Sequence, residues 1–206
     1  MILPFKILNL IGYSGIMLVA DQILQTTKKV LTREGILFIL WGWLMFYVNL
    51  TGYVERELLL SNLFEKSLNL FGIVIGIGVI SMTILHILYN RKSVTHRYRT
   101  TIRNSWVAMF GVMVMVNLIQ NNVLHSINFE LQHAIFMVII AFTIITTGSI
   151  LKSQLLIFGG IFFGILGLVA SYFPLADQHL IEAVCWFFAI IIPGHLLYHK
   201  TKLKNE

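Results

Sequence analysis

Two groups of residues in this chain have the types and spacing to do chemistry. The closing stretch "IIPGHLLYHK" (191–200) sets His195 and His199 four residues apart, behind Pro193 and Gly194. Four-residue spacing puts both imidazoles on one helix face, which is what a two-histidine metal site requires. The metalloprotease pattern also needs a glutamate directly after the first histidine, and Leu196 stands there instead. The second group centres on "NLIQNNVLH" (117–125), where Asn117, Gln120 and Asn121 share a helical face and His125 follows. His133, His179 and Glu182 fall near the same end of neighbouring apolar segments. Together these seven residues are the candidate polar cup, suited to a small polar solute or a metal ion.

The elements that must position these side chains are membrane helices. The chain has 57% hydrophobic and 12% charged residues, about half the ~25% charge of a soluble domain. Its mean hydropathy is +0.83. Six apolar runs, at about 35–53, 68–89, 104–124, 133–151, 155–173 and 180–198, are each long enough to cross a hydrocarbon core of ~30 Å. Their interiors do not alternate polar with apolar, which excludes barrel strands. The fold class is therefore all-α, a polytopic bundle of six spans. Residues 31–206 form this transmembrane domain. Residues 1–30 form an N-terminal membrane-associated or interfacial helix, and a seventh embedded segment over 6–24 stays open as the alternative.

Charge orients the spans. Twelve of the 15 Lys/Arg fall on one side, in 28–33, 91–103, Lys152 and 200–204, while Glu55, Glu57, Glu65, Glu130 and Asp177 fall on the other. The basic side is expected to be cytoplasmic, with the C-terminus on it and the cell inner membrane as the location. Basic character thus serves as an orientation signal, and no nucleic-acid partner is expected. The lone Cys185 excludes an intramolecular disulfide and a thiolate metal cluster. No phosphate-binding loop, nucleophile elbow or kinase signature occurs.

Packing inside lipid depends on small residues. Gly72 and Gly76, with Gly78 nearby, predict a close crossing of the second span, and Gly159, Gly160, Gly164 and Gly167 predict another of the fifth. Pro193 and Gly194 predict a kink. Trp41 and Trp43 sit deeper in the first span than interfacial anchors do, with packing around Gly42 as the expected reason.

Three stretches carry a resemblance: "ILQTTKKVLTREGILFILWGWLMFYVNL" (23–50), "GSILKSQLLIFGGIFFGILGLVASYF" (148–173) and "IIPGHLLYHK" (191–200). In this order they resemble a family of small multi-pass membrane proteins of Bacteroidota, marked by a WGW-like first span and a closing IIPGHLL motif. The resemblance covers roughly residues 23–204 and implies architecture and source. It supplies no catalytic residues. The family motif carries Arg or Lys where His199 stands, which favours a helix end in the headgroup zone over a metal site.

The functional expectation that follows is a non-enzymatic sensing, scaffolding or regulatory membrane component. The alternatives are a small channel or facilitator for a polar solute and, third, a membrane-embedded metal-dependent enzyme. An enzyme would need Glu182 within about 3 Å of a histidine. No cofactor is expected. The expected partners are the lipid bilayer and a cytoplasmic protein at the basic loop 91–103, with a homo-oligomer accompanying the channel reading.

Overall fold

The structure, a computed structural model, describes residues 35–57, 62–89 and 96–202. The 1–30 segment and the 6–24 alternative lie outside them. Helix α1 covers Gly35–Glu57, α2 Asn62–Tyr89, α3 His96–Leu124, α4 Phe129–Ile150 and α5 Gln154–Ala170. Then α6 (Leu175–Trp186) runs through a π-helical segment, Phe187–Ile191, into α7 (Ile192–Lys202). No strand occurs among the described residues. The chain is a multi-pass helical membrane protein.

Five of these helical stretches are long and apolar enough to span a bilayer: Gly35–Glu57, Leu63–Leu88, Thr100–Leu124, Phe129–Ile150 and Leu175–His199. The expected fifth span is the short α5, with 17 residues. At 1.5 Å per residue it is about 25 Å long, the lower limit for a crossing. Its ends are set locally. Before it, Ser153 N–H donates to Gly148 O (2.8 Å) and Lys152 N–H to Ser149 O (3.2 Å), while Lys152 adopts φ 52°. That is a Schellman turn with lysine in the place glycine usually takes. After it, Pro174, which has no N–H, occupies the N-cap position of α6.

The core lies among α4, α5, α6 and the π segment. Met137, Leu156, Phe163, Cys185 and Ala189 are fully buried there, and Phe163 meets Trp186 edge-on at 5.4 Å between centroids. Glycines on α5 allow this. A Cβ on Gly160 would fall 2.6 Å from Ile145 Cγ1, and one on Gly159 would fall 2.9 Å from the Ala189 backbone. The expected crossing at α5 is present. Among the described residues the one at α2 is not seen: Gly76 and Gly78 have none of them within 4 Å, and Gly72 meets only the Tyr47 ring. Most of α2 faces outward, where lipid contacts it and a close approach has no role.

The basic stretch 91–103 is not a loop throughout, because α3 begins at His96. The disturbance expected at Pro193 takes a definite form one turn earlier. Proline's ring clashes with the carbonyl four residues back, here that of Ala189, which lies inside the π segment. The wider π turn accommodates it, and Ile192 N–H donates to Phe187 O. Gly42 packs on this segment, where a Cβ would meet Ile191 Cγ1 at 2.8 Å. Trp41, beside it, donates to Thr83 Oγ1 of α2 at 3.0 Å. Trp43 is outward-facing, with its ring edge-on to Phe46 and Phe187.

Candidate functional site

Four side chains from three helices converge at the end of the structure that carries Glu55, Glu130 and Asp177. On α6, Glu182 is 4% exposed, an ionisable residue within a span, which in membrane proteins marks function by default. Its Oε1 accepts a hydrogen bond from Trp186 Nε1, one helical turn on, at 2.8 Å. Its Oε2 lies 2.8 Å from His133 Nε2 of α4. His133 Nε2 is buried, and its approach to the carboxylate lacks hydrogen-bond alignment. His179, one turn before Glu182, stacks edge-on with His133 at 4.5 Å between ring centroids.

Asn49 of α1 completes the group. Its Nδ2 donates to Met45 O at 2.9 Å, which turns Oδ1 towards His179 Nδ1 at 3.1 Å. Amide oxygen accepts only, so Nδ1 of His179 carries the proton and Nε2 is the acceptor of the neutral ring. Gly52 admits this arrangement, because a Cβ there would meet the His179 ring at 3.3 Å.

The cluster closes one end of a cavity of about 530 Å³. Asn49, His133, His179, Glu182 and Trp186 line that end, and Thr100 and Arg103 of α3 line the other. Between them the wall is mostly apolar, with Phe38, Met109, Met113 and Ile140 among its residues, and Thr83 and His86 of α2 also line the cavity. Leu37 and Asn49 both line it, twelve residues apart on α1, which at 1.5 Å per residue is about 18 Å along the helix. Helices α2 and α3 both contribute wall residues yet barely touch one another. Among the described residues, no helix packing therefore seals the cavity on that side.

The candidate cup thus divides. His133, His179 and Glu182 come together. Gln120 is buried, but its Oε1 accepts from Asn128 N–H at 3.1 Å and so braces the α3–α4 turn. Asn117 is half-buried and lines no part of the cavity. Asn121 and His125 are exposed, and His125 takes φ 51° at the end of α3. His195 and His199 are both exposed on α7, His199 beside the Tyr198 ring. Among the described residues no three His, Cys, Asp or Glu side chains are placed to hold a metal ion.

Two participants escape a reading by motif. Trp186 follows Glu182 by four residues, the spacing at which helix side chains meet. Asn49 is an amide within an apolar span, and such groups seek a partner inside the bundle. Comparison of the chain with protein-family models, with curated proteins and with solved structures finds no match.

Proposed function

We propose that this protein is a sensing component of the bacterial cytoplasmic membrane that holds a lipid-soluble amphiphile in its intramembrane cavity. The observation that carries this reading is the union of Glu182, His133, His179 and Asn49 with an apolar cavity of about 530 Å³. Ligand sites are commonly apolar pockets in which a few convergent polar groups orient the molecule. A polar solute would have to cross a cavity about 18 Å long whose wall is mostly apolar, which favours an amphiphile over a channel substrate. Helix α3 supports the sensing role. It begins within the basic stretch at His96 and supplies Thr100, Arg103, Trp106, Met109 and Met113 to the wall, so occupancy is mechanically coupled to the basic face. That face is the cytoplasmic one by the positive-inside rule, with the C-terminus on it. The three motifs shared with the Bacteroidota family support the same placement.

Native mass spectrometry of the gently solubilised protein tests the reading. A stoichiometric small amphiphile is expected on the wild type and is expected to be lost in Met113→Trp, which fills the cavity. Identical lipid profiles for both would overturn it. Reporter fusions at Glu206 test the orientation, with activity expected only for a reporter that works in the cytoplasm.

A second reading, a membrane enzyme, is favoured by the 2.8 Å approach of Glu182 to His133, since proton transfer needs an acid–base pair at such a distance. Chemical conversion of the bound amphiphile, abolished in Glu182→Gln, would select it.

A further inference from the structure

We infer that the amphiphile is a single-chain primary amine, bound with its ammonium group against Glu182 and its chain along the apolar wall. This inference rests on the proposal that the cavity holds a ligand, and it names the chemistry that the polar end selects.

The selection follows from counting donors and acceptors. Ionised Glu182 only accepts, at about four lone-pair positions. One is taken by Trp186 Nε1 and one faces His133 Nε2 without hydrogen-bond alignment. His179 Nδ1 is turned to Asn49, which leaves Nε2 of the neutral ring as a further acceptor. The unused capacity is two carboxylate lone pairs and one imidazole lone pair. A primary ammonium brings three N–H donors and no acceptor, as the lysine head group does. A carboxylate or phosphate head brings acceptors only and would face acceptors.

Charge gives the same direction. Glu182 is the one acidic side chain among the described residues that line the cavity, so the complementary head group is a cation. In so apolar a setting, an opposite charge with good hydrogen bonds offsets the cost of holding that carboxylate away from water. Aromatic rings line the same end: Trp186, which donates its indole N–H to Glu182, and Phe136, one turn from His133. Such rings attract a desolvated cation. Among the described wall residues the one Lys or Arg, Arg103, is at the opposite end, where the chain terminus of a bound amine would lie.

The test uses the full chain in phosphatidylcholine nanodiscs. Four twelve-carbon probes are titrated: dodecylamine, dodecyltrimethylammonium, 1-dodecanol and dodecanoate. The readout is intrinsic tryptophan fluorescence, because Trp41, Trp106 and Trp186 line the cavity, corrected for partition into empty nanodiscs. Saturable binding of dodecylamine about tenfold tighter than of 1-dodecanol is expected, as charge-assisted hydrogen bonds are roughly twice as strong as neutral ones. Dodecyltrimethylammonium, charged but without N–H, should bind more weakly than dodecylamine. Glu182→Gln should remove the preference for the amine while 1-dodecanol still binds. Equal affinity for amine and alcohol would overturn the inference, and the wild-type comparison stands even if the variant fails to fold. Tightest binding of dodecanoate, lost in Arg103→Gln, would overturn it by placing an anionic head at the basic end. Saturable binding of none of the four would overturn the cavity reading itself.

Discussion

Glu182 Oε2 stands 2.8 Å from His133 Nε2, a contact that joins α4 to α6 across 49 residues of chain. The approach of the imidazole nitrogen to the carboxylate lacks hydrogen-bond alignment. Removing the carboxylate strands Trp186 Nε1 in a buried setting, and an unsatisfied group of this kind costs about 1–3 kcal/mol. Glu182→Ala should therefore unfold at lower temperature than Glu182→Gln, which keeps an acceptor for Trp186. A double-mutant cycle of Glu182→Gln with His133→Gln, read by thermal unfolding in detergent, should show coupling of at least about 0.5 kcal/mol. Additive effects would mean that the two side chains do not interact.

The α4–α5 crossing makes a contrasting pair of substitutions. Gly160→Leu forces a side chain into space already held by Ile145 and the Ala141 carbonyl, and overpacking of this kind costs about 1–3 kcal/mol. Gly76→Leu has none of the described residues within 4 Å to meet. The first should lower the unfolding temperature sharply and the second should leave it unchanged. A large loss in Gly76→Leu would reveal a partner on α2.

Lys152 sits at φ 52° in the turn before α5. The left-handed region costs a residue with a Cβ roughly 1–2 kcal/mol, and glycine almost nothing. Lys152→Gly should raise stability by about 1 kcal/mol in the same assay. A decrease would show that the lysine side chain contributes more than the backbone strain costs.

Cys185 is fully buried on α6, in contact with the residues that pack Trp186. Thiol reactivity needs access for the reagent. The folded protein should resist a maleimide reagent and become labelled only on unfolding, so that labelling against temperature reports the core. Rapid labelling of the folded state would mean that α6 opens readily.

His195 and His199 are exposed on α7, with no third ligand among the described residues. Elemental analysis of wild type and of the His195→Ala/His199→Ala pair should give the same transition-metal content. Metal lost from this pair alone would establish a site there.

The membrane character, the helical class and the alternation of basic and acidic ends follow from the amino-acid sequence by itself. Each span must satisfy its own backbone and match the bilayer thickness, and both are local properties of an apolar run. Glu182 and His133 were legible as candidates for the same reason, since an ionisable group in an apolar run is visible without a fold. What the sequence could not decide was which polar residues meet. Asn117, Gln120 and Asn121 share a helical face by spacing, yet that face braces a turn and meets the surroundings instead of lining the cavity. Asn49, Trp186 and the cavity itself depend on how α1, α4 and α6 rotate against one another. That rotation is set by glycine contacts such as Gly42 on Ile191 and Gly159 on Ala189, and by the π segment that re-registers α6. Two GxxxG patterns have different outcomes among the described residues: Gly160 on α5 packs against the α4 backbone, while Gly72 on α2 meets only the Tyr47 ring. Close packing is a property of the pair of surfaces, and a single surface does not contain it.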